Sequence, residues 1–343
     1  MGINTCTILL TFDEDIYFKI RDEAYSLGIG NTPLARLDLE GRVKIHAKLE
    51  YFNRFRSVKD RASFFMIKSM IYGGNLSKDN VIVEASSGNT GIAIANIASL
   101  LGIRAEMIIP AGSSEETKEA VRLSGQTLIE MEGDRTPGAR ISIDPAIARA
   151  KSIVRGNPQK YVNLDQYSNP NNTLSHYYTT GPEITRDLKG ENPSHVVVGI
   201  GTGGTLTGLA RYFKKVSPET KIVAVEPVPD HHIQGLKNLS VSAVPKLIEE
   251  NRNLVDEWIS VTDEMAIAEV RNLLWENRLF VGLSSGANMA GVRIVAKRMN
   301  EGRIVTIFPD SAEKYRSVYV GRKIFTQDEF AANIHLVKEI GNA

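Results

Sequence analysis

Seven short apolar runs recur along the chain without polar alternation: Lys44–Leu49, Val81–Glu84, Ala105–Ile109, Thr127–Glu130, His195–Ile200, Lys221–Val225 and Arg303–Phe308. Runs of this kind predict strands covered on both faces. Between them lie stretches with helical spacing: Arg61–Ile71, Thr90–Leu101, Glu115–Leu123, Pro145–Val154, Leu206–Lys215, Glu264–Glu276 and Gly286–Met299. The alternation of strand and helix predicts an α/β architecture with mostly parallel sheets. The 343 residues suggest about two domains. One seam is expected near Tyr167–Thr173, where Ser168-Asn169-Pro170-Asn171-Asn172-Thr173 is turn-rich, and a second near Glu50–Asn53. A cleft between two such lobes is the expected place for a small-molecule site.

Composition narrows the field. The formal net charge is +1, so no bulk basic field points to nucleic acid or an anionic membrane. Cys6 is the single cysteine, which excludes a disulfide within the chain and a cysteine-based metal site. Cys6 reads as a small buried hydrophobe or a terminal thiol. No stretch reaches the roughly 18 apolar residues of a membrane span, and no basic region precedes the apolar start. A cytoplasmic protein is expected. His231 and His232 are adjacent, so their side chains diverge, and His176 stands alone; loop roles are expected for all three rather than metal ligation.

Four loops carry candidate chemistry. Gly201-Thr202-Gly203-Gly204-Thr205 follows one predicted strand and precedes a helix. Glycines let successive N–H groups converge on an anion, and the helix start adds unpaired donors. No Gly-Lys-Ser/Thr follows, and the spacing fails the dinucleotide fingerprint, so a simple phosphate cradle is the reading. Ser86-Ser87-Gly88-Asn89-Thr90-Gly91 repeats the strand-to-helix setting with hydroxyls and an amide, suited to a carboxylate and equally to capping the helix. Lys59, in Ser57-Val58-Lys59-Asp60-Arg61, stands before an apolar helix that would desolvate its amine and favour Schiff-base chemistry. Pro309-Asp310-Ser311 follows the last predicted strand, where a hydroxyl would point into the cleft.

Taken in order, these loops resemble the cysteine synthase family of fold type II enzymes dependent on pyridoxal 5′-phosphate (PLP). Gly30–Leu37, Asn53 with Ser57–Arg61, Ser86–Gly91, Asp165–Asn172 with Thr179–Glu183, Gly201–Thr205, Val225–Pro227, Gly282–Ala287 and Pro309–Tyr315 are each similar to a family motif. The resemblance implies two three-layer α/β/α lobes with PLP in the cleft, as in tryptophan synthase β. Residues 1–51 and 169–343 would form the larger lobe and 52–168 a smaller mobile one. It implies a Schiff base at Lys59, Asn89 on the PLP phenolic oxygen, Gly201, Thr202, Gly203, Gly204 and Thr205 on the phosphate, and Ser311 at the pyridine nitrogen. Ser86, Ser87, Gly88, Thr90 and Gln166 would hold the substrate carboxylate. It further implies β-replacement through an α-aminoacrylate, making L-cysteine from O-acetylserine or O-phosphoserine and sulfide. A homodimer and association with serine acetyltransferase belong to the same expectation.

The chain departs from the family in places. Arg54 replaces the usual proline of the lysine loop, Arg56 also stands there, Ser86 replaces threonine, and Ala312 stands where glycine is common. The stretch after Pro227 is short and looks closer to the branch that accepts O-phosphoserine. Such a donor wants a cation, with Lys237 the first candidate and Arg54 and Arg56 the second. The alternatives are a cystathionine β-synthase type of condensation of serine with homocysteine, and a non-catalytic scaffold relative.

Overall fold

The computed structural model describes residues 14–37, 41–133 and 143–339. Cys6 and the apolar start of the chain lie outside them. The strands are β1 (Leu34–Leu37), β2 (Val43–Leu49), β3 (Val81–Ala85), β4 (Arg104–Ile109), β5 (Thr127–Glu130), β6 (Tyr161–Val162), β7 (His195–Gly199), β8 (Lys221–Pro227), β9 (Glu257–Val261) and β10 (Gly302–Phe308). The helices that matter first are α1 (Glu14–Ser26), α2 (Lys59–Tyr72), α3 (Asn89–Leu101), α4 (Glu115–Leu123), α5 (Asp144–Gly156), α6 (Pro170–Ser175), α7 (Gly181–Asp187) and α8 (Gly204–Val216). After them come α9 (Lys246–Glu249), α10 (Asp263–Asn277), α11 (Leu283–Ala296), α12 (Arg316–Gly321), α13 (Gln327–Asn333) and α14 (Leu336–Glu339).

The strands form two sheets. One has six strands in the order β1-β2-β10-β7-β8-β9, the other four in the order β5-β4-β3-β6. Every pairing is parallel except β1 with β2. Both faces of each sheet are covered. On β8, Val223 and Val225 face the core that holds α10 and α11, while Ile222 and Ala224 face the one that holds α8. On the smaller sheet, Ile82 and Met107 pack toward α2 and α3, and Val83 and Ile108 toward α5. Burial on both faces removes the polar alternation, which is why these strands read as continuous apolar runs.

The expected strands and helices form close to their expected bounds. β1, β6 and β9 are additions: β1 and β9 are sheet edges, and β6 has two residues. The turn-rich stretch after Tyr167 starts a helix. Asn169 caps α6 through its side chain, and Pro170 takes the first turn. A π-helical stretch, His176–Thr180, then joins α6 to α7, so His176 is helical rather than in a loop.

A buried charge cluster binds α2 to the larger sheet. The Arg61 guanidinium meets the Glu50 carboxylate at 2.7 and 2.8 Å and the Glu183 carboxylate at 2.6 and 2.8 Å. Lys48 reaches Glu183 and Asp187, each at 3.0 Å. Asn53 accepts from the Gly30 N–H at 2.7 Å and donates to Glu50, while Thr32 donates to Glu50 at 2.7 Å. Burial alone would raise the Glu183 carboxyl, but Arg61 and Lys48 hold it well below the usual carboxylate range. A carboxylate held low in the fold stabilises above its unfolded pKa, and that contribution is lost as the pH falls. Glu183→Gln is therefore expected to cost about 3–5 kcal/mol in urea unfolding at neutral pH. The gap to the native protein should narrow in acid; a gap that is absent at neutral pH, or constant across pH, would contradict the assignment.

Candidate active site

The chemistry gathers at the carboxyl ends of the parallel strands, as in other α/β sheets. β3 runs into Ser86–Gly88 and α3, β7 into Gly201–Gly203 and α8, and β10 into Pro309 and Asp310. The lysine loop is stapled to the last of these ends. Val58 N–H donates to the Pro309 carbonyl at 2.8 Å, and Ser57 forms a bridge with Asp310. Lys59 thus opens α2 facing a cavity of about 230 Å³.

Lys59, Ser86, Ser87, Gly88, Asn89, Thr90, Gln166, Gly201, Thr202, Gly203, Thr205 and Lys237 line that one cavity. The Lys59 amine makes no hydrogen bond among the described residues. Burial pushes its pKa down, opposed by Asp310 and Glu50 and assisted by Lys314. A lowered amine is a better nucleophile toward an aldehyde at neutral pH.

Across the cavity, Gly203 adopts a left-handed φ of 92° at the start of α8, and the Thr202 hydroxyl accepts from the Gly204 N–H at 3.5 Å. The N–H groups that follow in α8 and the hydroxyls of Thr202 and Thr205 are therefore candidate donors to an anion. Gly204 lies behind the lining, packed on Asn172. The donor set suits a phosphate monoester and the free amine suits an aldehyde, which is the pair of groups that PLP carries.

The remaining residues sort by their partners. The Ser86 hydroxyl is committed to its own turn, accepting from Gly88 N–H at 3.1 Å and Gly91 N–H at 2.8 Å. The Thr90 hydroxyl donates to Gln166 at 2.7 Å, and Gln166 donates to the Ala85 carbonyl at 3.1 Å. That leaves the Ser87 hydroxyl, which has no hydrogen-bond partner among the described residues, and the first N–H groups of α3 for a carboxylate. Asn89 donates to Asp310 at 2.5 Å and, more weakly, to the Tyr315 hydroxyl at 3.4 Å, and accepts from Lys314 at 2.8 Å.

Three expectations need correction. Ser311 does not line the cavity. It is fully buried on extended backbone, pairs with Val281 in a bridge, and its hydroxyl has no partner among the described residues. Successive side chains of an extended segment alternate, so Asp310 takes the cavity side and Ser311 the far side. Ser284, at the start of α11, does line the cavity. Arg54 and Arg56 are also absent from the lining: Arg54 meets the Leu27 carbonyl, while Arg56 pairs with Glu313 and reaches the Val337 carbonyl in the tail. Lys237 alone of the three cations faces the cavity, its ammonium 4.7 Å above the Tyr167 ring.

Sequence reasoning assigned no role to Ser284, Asp310, Lys314 or Tyr315, although the Gly282–Ala287 and Pro309–Tyr315 motifs hold all four. Asp310 is braced by Asn89 and by the Tyr315 hydroxyl, and burial raises its carboxyl. His231 and His232 stand at the cavity's edge, His232 beside Asp263 at 3.2 Å.

The model of the pyridoxal-phosphate dependent enzymes matches residues 25–310. The chain belongs to that family. Family membership makes PLP its cofactor, in agreement with the amine and cradle just described. The cysteine synthase of Aquifex aeolicus is 38% identical over 92% of this chain and 97% of its own length. Cysteine synthase A of Escherichia coli is 37% identical over 90% and 98%. The crystal structure of cysteine synthase from Entamoeba histolytica superposes with a TM-score of 0.78 at 29% identity, covering 100% of this chain and 99% of that one. A hydrogen sulfide-producing enzyme from Fusobacterium nucleatum gives a TM-score of 0.77 at 30% identity, covering 85% and 98%.

Exchanging the two serines separates their roles. Ser284→Ala is expected to shift the visible spectrum of the PLP-loaded protein and lower turnover roughly tenfold. Ser311→Ala should leave the spectrum unchanged. The opposite pattern, a spectral change with Ser311→Ala alone, would put Ser311 at the ring after all.

Proposed function

We propose that the protein is a PLP-dependent cysteine synthase that replaces the Cβ substituent of an activated serine with sulfide. The observation that carries this reading is the one cavity that brings together the half-buried Lys59 amine, an anion cradle and a second loop suited to a carboxylate. The likeness to curated cysteine synthases supports it independently.

Bound in the cavity, PLP would supply the electron sink that lets a Cα proton and a Cβ substituent leave. Lys59 would hold the cofactor at rest and afterwards take and return the proton at Cα. Gly201–Thr205 would hold the phosphate, and Ser87 with the first N–H groups of α3 the substrate carboxylate. Thr90 and Gln166 would brace that loop, and Ser86 would shape its turn. Ser284 would stand at the ring nitrogen, where a neutral hydroxyl tempers the sink and disfavours transamination. Residues 52–168 would close over the gripped carboxylate and exclude water.

O-phosphoserine is the proposed donor, at least as good as O-acetylserine. Lys237 supports this: it faces the cavity, burial pushes its ammonium down, and its counter-charge is Asp144. A homodimer completes the reading, and light scattering on the purified protein tests it.

The test is a donor panel with sulfide, following L-cysteine. Both O-phosphoserine and O-acetylserine should yield product, and Lys237→Ala should raise KM for O-phosphoserine roughly ten- to a hundredfold while barely affecting O-acetylserine. An equal effect on both donors would remove Lys237 from phosphate recognition. No cysteine from either donor, and no visible band near ~410 nm after loading with PLP, would overturn the enzyme reading.

A further inference from the structure

We infer that His176 is a positioning residue for the phosphate cradle: its Nε2–H turns the Thr205 hydroxyl into a fixed donor toward the phosphate. The inference rests on the reading that Gly201–Thr205 holds that phosphate.

His176 is 1% exposed and does not line the cavity, whereas Thr205 does. Its ring spans two hydroxyls, with Nδ1 2.8 Å from Thr180 Oγ1 and Nε2 3.1 Å from Thr205 Oγ1. The segment carrying it packs hard against α8. A Cβ on Gly208 would collide with the Thr173 carbonyl oxygen and stand 2.6 Å from His176 Cβ, so only glycine admits this approach.

Burial pushes the imidazole pKa well below its ordinary value, and Arg61 and Lys59 push it the same way. The ring is therefore neutral, with one donor and one acceptor nitrogen. If Nδ1 carried the proton, Nε2 would accept from Thr205, and Thr205 would offer only lone pairs to the cavity. If Nε2 carries it, Thr205 accepts from the ring and its O–H is free to turn outward. Nδ1 then accepts from the Thr180 O–H. A phosphate dianion accepts hydrogen bonds and cannot donate them, so it selects the second arrangement. Thr180, His176 and Thr205 form one oriented chain ending at the cradle.

Glutamine and asparagine divide the two ring nitrogens. In the variant His176→Gln the side-chain amide nitrogen reaches the Nε2 position and keeps a donor on Thr205. In His176→Asn the shorter side chain reaches only the Nδ1 position. The readout is PLP retention by the purified holoprotein at equilibrium with free PLP, with phosphorus NMR of the bound phosphate. His176→Asn should weaken retention roughly ten- to a hundredfold, and His176→Gln should stay within about threefold of the native protein. His176→Asn added to Thr205→Val should cost nothing beyond Thr205→Val alone. Equal losses for the two His176 variants, or additive losses in the double variant, would overturn the inference. If His176→Asn fails to fold, Thr180→Val leaves the ring in place: weaker retention supports the chain of hydroxyls, and unchanged retention overturns it. Unchanged retention with Thr205→Val alone would instead refute the cradle itself, a distinct failure.

Discussion

The Arg61 guanidinium, clamped between Glu50 and Glu183, is the interaction on which the rest of the site depends. It lies two residues beyond Lys59 on α2, so the pairing that fixes Arg61 also fixes where Lys59 enters the cavity. Burying an ion is costly, and removing one partner leaves a charge that water cannot reach. The cluster therefore tolerates little displacement. It also accounts for the company these motifs keep. Gly30, Thr32, Asn53, Arg61 and Glu183 are scattered along the chain, yet all meet at this one cluster, behind the cavity rather than in its lining.

A second cluster performs the same service from the other side. Asp310, Lys314 and Tyr315 at the end of β10 hold Asn89 at the start of α3. Lys314 also donates to the Phe55 carbonyl at 3.0 Å, inside the lysine loop. The larger sheet thus reaches across to both loops of the smaller part. The rigidity needed to place an amine against an anion cradle comes from these buried polar contacts rather than from the lining itself.

Much of this was legible in the sequence because strands buried on both faces carry an unmistakable apolar signature. The edges were not. β9 reads Glu-Trp-Ile-Ser-Val, with polar residues among the apolar ones, and β1 follows a proline. The stretch after Tyr167 shows how one set of residues serves two readings: asparagine and proline mark turns, but asparagine as a cap with proline at the first position equally starts a helix. At the site, residue type was readable and direction was not. Ser311 and Ser284 both lie in recognisable motifs, and only the alternation of extended backbone after β10 shows which one faces the cavity. The three cations near the donor site were equally ambiguous until Arg54 and Arg56 proved to be spent on Leu27, Glu313 and the tail.

The central claim is that the cavity's chemistry is anchored on Lys59 and on no other lysine. Borohydride reduction of the PLP-loaded protein, followed by proteolysis and mass spectrometry of the peptides, tests it most directly. The account predicts one phosphopyridoxyl adduct, on the peptide that carries Lys59. An adduct on Lys237, Lys314 or any other lysine with Lys59 unmodified would contradict it.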